Sequence, residues 1–297
     1  MSIRPQQPTV GVVIPVYNDW ERLQLCLQAM ARQTYPRQLL QVRVVDNGSS
    51  DWPERPCFPL PLEVIVHRRP GSYGARNQAA LGWNVDVLAF TDADCRPEPD
   101  WIEAGVAALH WPGSSPRLLA GRIVLEPRRL DQPTAAEQLD QILGFDQART
   151  VRRAGFGVTA NLFVPQVCFE RLEGFHRKTR SGGDRDFCHR AVAAGAELLF
   201  VADAVVRHPA RDWSELVHKQ RRILGGRLTL AGAALLPRLA VLGLSLRPLL
   251  SESVRICRAP SLPFGRRCLL LSLVLRLRWA VLREWLRLQW GDRDPLR

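Results

Sequence analysis

Asp92 and Asp94 flank one alanine directly after the apolar run Val85–Phe90. In an extended segment residues i and i+2 point the same way, so both carboxylates can face one cation. Hard oxygen donors suit Mg²⁺ or Mn²⁺, which typically bridge phosphate oxygens. Alone, the pair also fits a turn or a helix cap. Three more polar clusters follow apolar runs: Pro15 to Asp19, Val45 to Asp51 and Gly71 to Asn77. Asp46 can accept from a base N–H or a ribose hydroxyl. Tyr17, beside Asn18, offers an aromatic face for a base. Gly71 and Gly74 permit close approach to a ligand, and Arg76 at a helix start can meet phosphate. Each cluster is also ordinary turn chemistry when taken singly. Four of them after successive apolar runs describe a nucleoside-diphosphate groove.

The elements that carry these clusters alternate. Val10–Pro15, Val42–Val45, Leu62–Val66 and Val85–Phe90 read as buried strands. Helical spacing appears from Trp20 to Met30, from Gly74 to Trp83 and from Pro99 to His110. Strand–helix alternation predicts an α/β fold with a mostly parallel central sheet, and such sheets bind ligands at the carboxyl ends of their strands. Beyond His110 the pattern predicts strands at Leu118–Leu125, Val158–Val164 and Glu197–Val206. It also predicts helices at Pro133–Arg149, Val167–Leu172 and Asp184–Ala194.

The stretch from Val10 to His208 resembles the inverting family 2 glycosyltransferases, which have the GT-A fold. The matching text is VVIPVYND, VVDNGSSD, GARNQA, FTDADC, TANLFVPQ around Asn161, EGF at Glu173–Phe175, GGDRDFCHR from Gly182, and VVRHP. The resemblance implies donor binding by Pro15, Tyr17, Asn18, Asp46, Arg76 and Asp92. It implies a divalent cation, Mg²⁺ or Mn²⁺, held by Asp94 and Asp92 with His208 as a further contact. Inverting transfer needs a carboxylate that takes the proton of the attacking hydroxyl. The family form Gly-Glu-Asp-x-Asp-Leu aligns that base with Asp184, with Asp186 two positions on; here Gly183 replaces the Glu. Asp184 alone is equally a helix cap. Asn161 and Asp186 are secondary site candidates. The expected activity is transfer of a single sugar from a nucleotide sugar to a hydroxyl acceptor, which a lipid could carry. Lys219 to Leu224 does not reproduce the Gln-x-x-Arg-Trp segment of the processive synthases. The alternatives are a sugar nucleotidyltransferase, which would carry a Gly-rich basic loop after the first strand, and a non-catalytic membrane-surface binder.

Composition separates a tail from this body. The 297 residues carry a net charge of +12. Residues 211–297 hold 17 of the 41 Lys+Arg and 6 of the 29 Asp+Glu, so they carry +11 and the first 210 residues +1. A hydrophobic fraction of 46% excludes a disordered chain. The predicted division is a catalytic domain at 1–212 and a basic helical region at 213–297. In that region Leu270, Val274, Leu277, Val281, Trp285 and Leu288 form one helical stripe, and Ser272, Arg276, Arg283 and Arg287 another. An Arg-lined amphipathic helix suits a membrane surface; it equally suits packing on the catalytic body. No recognisable nucleic-acid module is present, so nucleic acid is not an expected partner. Seven cysteines in no CxxC pair, and no apolar signal segment at Met1–Thr9, predict a cytoplasmic protein, peripheral on the membrane's cytoplasmic face.

Overall fold

In the computed structural model, which describes residues 7–53, 57–109, 115–176, 181–231, 234–260 and 262–290, the valine-rich runs become strands. Strand β1 (Val10–Val16) leads into helix α1 (Trp20–Ala31), which buries Leu23, Cys26, Leu27 and Met30 at helical spacing. Then come β2 (Leu40–Asp46), β3 (Glu63–Val66), α2 (Ser72–Ala80), β4 (Val87–Thr91), the two-residue β5 (Arg96–Pro97) and α3 (Trp101–Ala107). The chain continues with β6 (Arg117–Glu126), α4 (Ala135–Leu143), α5 (Gln147–Ala154), β7 (Asn161–Pro165), α6 (Gln166–Arg171), α7 (Gly183–Ala193) and β8 (Glu197–Pro209). Four helices follow: α8 (Trp213–Ala231), α9 (Leu235–Leu246), α10 (Pro248–Cys257) and α11 (Phe264–Trp290).

All eight strands form one sheet in the order β3-β2-β1-β4-β7-β6-β8-β5. The first four are mutually parallel, and β7 runs antiparallel to both β4 and β6, so the sheet is mixed. Pairing of Val16 with Asp46, and of Asp46 with Val66, sets the carboxyl ends of β1, β2 and β3 level. Three of the four polar clusters therefore emerge side by side, and β4 delivers Asp92 at the same edge. A cluster of Phe90, Phe169, Phe175 and Phe187, with ring centroids 5.1–5.5 Å apart, fills the space behind it. Aromatic pairs at such separations add to simple area burial.

The chain divides into two compact units. One is the chain up to Val124 together with Asp146–His208; the other is Leu125–Phe145 together with the chain from Pro209. The single helix expected over Pro133–Arg149 is two helices, broken at Gly144 to Asp146. Gly144 is the C-cap of the first, and Asp146 starts the second by accepting the Arg149 N–H at 3.1 Å. That break is also where the chain passes from one unit to the other, so α4 belongs with the tail helices.

In the second unit two of the five described helices, α4 and α8, have reciprocally capped starts. Thr134 and Glu137 form a capping box on α4, and Asp212 and Glu215 exchange backbone–carboxylate bonds of 2.9 Å on α8. Leu270, Val274 and Leu277 pack with Ala136, Leu139, Leu216 and Ile256. Val281, Trp285 and Leu288 pack with Leu224, Leu228 and Val241. The apolar stripe on α11 is thus the inner seam of a helical unit. Among the described residues no helix is long and apolar enough to cross a membrane.

Candidate active site

The first two loops are stitched together by side chains. Asn18 has left-handed φ (47°), and its amide oxygen accepts the Ser50 N–H at 2.8 Å while its own N–H donates to Ser49 Oγ at 2.9 Å. Asn is among the few residues that adopt this backbone at low cost. Asp46, nearly buried, accepts the Ser49 N–H at 2.9 Å through Oδ1. Tyr17 stands on the rim at 52% exposure, open to a planar ligand. Pro15 lies inside β1 opposite Val45.

Arg76 is the centre of the next group. Its side chain is only 4% exposed, it is ion-paired with Asp92, and its guanidinium lies 5.7 Å from the Tyr73 ring centroid. Its Nε–H is buried and has no acceptor among the described residues. Asp92 is therefore turned toward a cation that the protein itself supplies. Asp94 is turned elsewhere: its Oδ2 is 3.3 Å from His208 Nε2, and His208 is almost fully buried. Asp94, Cys95 and His208 offer three donor atoms within 4.8 Å of one another. With metal–ligand bonds of about 2.0–2.2 Å, neighbouring ligand atoms lie about 3 Å apart. The Asp94–His208 spacing fits such a pair, and a carboxylate with an imidazole can hold a divalent cation. Asp19 is close by; burial pushes its carboxyl up, Arg22 opposes the rise and Asp94 adds to it.

Asp184 sits in the first turn of α7. Burial raises its carboxyl above the ordinary aspartate value; the Arg185 N–H, the Arg76 charge, the Tyr73 hydroxyl and the Thr159 N–H pull the other way. Gly183 explains how Tyr73 reaches it. A Cβ built on Gly183 would meet the Tyr73 ring at 2.8 Å, closer than any real contact. The aromatic ring fills the volume that a side chain at 183 would need, and its hydroxyl lies within bonding reach of Asp184. Asp184, Tyr73, Arg76 and Asp92 thus form one continuous row.

Two candidates serve the scaffold. Asn161 is fully buried; its amide accepts the Trp101 Nε1–H at 2.8 Å and donates at 2.9 Å to the Arg122 and Ala204 carbonyls, tying α3, β6 and β8 to β7. Asp186 binds Arg190 at 2.8 Å, and Arg190 donates at 2.8–2.9 Å to the Gly174 and Leu172 carbonyls. It fixes the Glu-Gly-Phe turn, which Asn77 clamps from the other side through both polar atoms of Phe175. Sequence reasoning passed over Tyr73. The signal was present: a glycine where the family pattern has Glu leaves a volume that some other side chain must fill.

A sequence profile described as "Glycosyl transferase family 2" matches residues 11–117. The glycosyltransferase AglE of Haloferax volcanii is 36% identical over 227 residues, 74% of this chain and 73% of that protein. The chain belongs to glycosyltransferase family 2. The pre-mycofactocin glycosyltransferase of Mycobacterium tuberculosis is 28% identical over 221 residues, 70% of this chain but 45% of that protein. Among solved structures, the mannosyltransferase PcManGT of Pyrobaculum calidifontis, in complex with GDP-Man and Mn²⁺, superposes with a TM-score of 0.58. It is 18% identical and covers 96% of this chain and 88% of its own. Residues 1–349 of TarS from S. aureus, in complex with UDP, superpose with a TM-score of 0.50 at 15% identity, covering 94% and 90%. These likenesses show the GT-A fold. Family membership decides against the sugar nucleotidyltransferase alternative.

The fit between Gly183 and Tyr73 is testable. Gly183→Glu should destabilise the protein by about 1–3 kcal/mol through overpacking, and adding Tyr73→Ala should recover part of that loss. Thermal unfolding of the two single variants and the double variant measures the coupling; simple additivity would show that the two positions do not share space.

Proposed function

We propose that this glycosyltransferase is inverting and metal-assisted, and moves one sugar from a nucleoside-diphosphate sugar to a hydroxyl acceptor. The observation that carries the reading is the row Asp184–Tyr73–Arg76–Asp92, which joins a raised carboxyl to a buried guanidinium with one donor unsatisfied. Tyr17 and Asp46 would hold the nucleoside, with Pro15 and Asn18 fixing their loops. Arg76 would meet the diphosphate, whose oxygen can satisfy its idle Nε–H. Asp94 and His208 would hold the divalent cation, with Asp92 beside them. When bound, such a cation supplies charge neutralisation for the leaving nucleoside diphosphate. The PcManGT complex with GDP-Man and Mn²⁺ supports both the donor class and the ion.

Asp184 acts as the general base. Its carboxylate accepts the proton of the acceptor hydroxyl as that oxygen attacks the anomeric carbon from the face opposite the leaving group, which inverts the configuration. An elevated pKa strengthens it as a base, and Tyr73 fixes its direction. The absence of the processive Gln-x-x-Arg-Trp segment supports single transfer. Seven cysteines, all free, support a reducing compartment, and the basic second unit supports work at the cytoplasmic membrane surface on a lipid-linked acceptor.

Asp184→Asn should lower transfer by about 10²–10⁴-fold while leaving nucleoside-diphosphate affinity in calorimetry unchanged; a near-normal rate would remove Asp184 from the role of base. The pH profile gives an independent check. Asp184 works deprotonated, so activity falls as pH drops through its raised pKa. Tyr73→Phe removes a bond that favours the charged form, so the acidic limb should move to higher pH by about one unit, a hydrogen bond to a charge being worth about 1.5–3 kcal/mol. An unmoved limb would separate Tyr73 from the base. For the cation, Mn²⁺ together with UDP or GDP should raise the melting temperature of the native protein, and Asp94→Asn should cancel that rise. An undiminished Mn²⁺ effect in the variant would place the ion elsewhere.

A further inference from the structure

Beside the arginine-bearing stripe of α11, three successive helices of the second unit turn apolar residues outward. On α9 the exposed positions are Leu236, Pro237, Leu239, Ala240, Gly243 and Leu244. They recur at helical spacing, carry no polar group and end at exposed Arg247. On α10, which starts at the very next residue, the outward positions are Leu250 (79% exposed), Ser251, Val254, Cys257 and Arg258. On α11 they include Phe264 (82%), Leu269, Leu275, Arg276, Trp279 (60%) and Arg283. Soluble surfaces normally scatter large apolar side chains singly among polar ones. Here three consecutive helices each turn such residues outward.

Charge says what the surface faces. Between Ala234 and Trp290 the sequence has ten arginines and two acids, Glu252 and Glu284. Both acids are drawn inward and neutralised. Glu252 pairs with the nearly buried Arg278, and Glu284, 3% exposed, pairs with Arg287 at 2.9 Å and Arg221 at 3.7 Å. The outward positions are therefore free of acidic groups, while Arg247, Arg258, Arg276 and Arg283 remain exposed. Aliphatic side chains, one exposed indole and arginines without acids are the composition of an interfacial surface: the apolar groups enter the acyl boundary and the guanidinium groups meet lipid phosphates.

We infer that the outer faces of α9, α10 and α11 dock the protein on an anionic lipid surface. This rests on the membrane reading above and replaces the buried stripe Leu270–Leu288 as its seat. A surface helix that lies in the headgroup layer needs no spanning segment, in keeping with the lengths and hydropathies of the described helices.

Vesicle flotation of the full chain tests this. Probes are phosphatidylcholine vesicles with and without about 30% phosphatidylglycerol, at low and high salt. The wild type should float with the anionic vesicles and lose most of that recovery in high salt. The combined variant Leu244→Ser, Leu250→Ser, Trp279→Ser changes exposed positions only; it should keep its melting temperature and float about tenfold less. Equal recovery of variant and wild type would overturn this face while leaving membrane association standing. A wild type that floats with neither vesicle would overturn the membrane reading itself. Salt-insensitive recovery on pure phosphatidylcholine would overturn the anionic selection. Wild-type dimers in sedimentation that the triple variant dissolves, with flotation unchanged, would assign the face to a second copy of the chain.

Discussion

A guanidinium almost sealed from water sets the terms for this molecule. An unpaired charge in that position would cost several kcal/mol, so Arg76 must be surrounded by groups that accept it. Asp92 supplies the opposite charge, and Tyr73 supplies an aromatic face. Each comes from a different place: Asp92 from the end of β4, Tyr73 from one turn earlier on α2. The parallel pairing of β1 with β2 and β4 brings these ends level, and Phe187 packs the first turns of α7, which carry Asp184, onto Phe169 and Phe175. The geometry of this sheet edge is thus the geometry that lets one cation stay buried.

The part of the sequence that carries parallel strands was readable because its chemistry is local. A valine run followed by a polar cluster announces both a strand and the place where its loop must emerge. Asp46, Asp92 and Asp94 could be picked out on that basis. The role of Asn161 could not, because its partner Trp101 is 60 residues away in sequence; Asp186 acts through Arg190, one helical turn on, whose link to the Gly174 carbonyl no local pattern states. Tyr73 was hidden for the same reason, since its partner Gly183 lies more than a hundred residues on and has no side chain to advertise the contact.

The second unit shows the limit of periodicity most clearly. The stripe Leu270–Leu288 has the correct spacing for an amphipathic helix, and the spacing is real. Periodicity identifies the apolar face and is silent about whether lipid or protein covers it. Here α4, α8, α9 and α10 provide the cover, and one of those four, α4, lies upstream in sequence, between β6 and β7. No local pattern around Ala135 states that its partners lie at Trp213 and beyond. The break at Gly144 to Asp146 falls inside the one helix predicted over Pro133–Arg149, because helical spacing runs on across it.

That interleaving constrains the order in which the chain can fold. As the polypeptide leaves the ribosome, Ala136 and Leu139 emerge long before Leu216, Ile256 and Leu270, against which they finally pack. Helix α4 must therefore wait, apolar face uncovered, while β7 and β8 are still being made. Closing that long loop is entropically slow, and the tail helices arrive last. Folding of the second unit then waits on α8, α10 and α11, and a nascent chain halted near Arg211 would carry an uncovered apolar helix face that invites chaperones or aggregation.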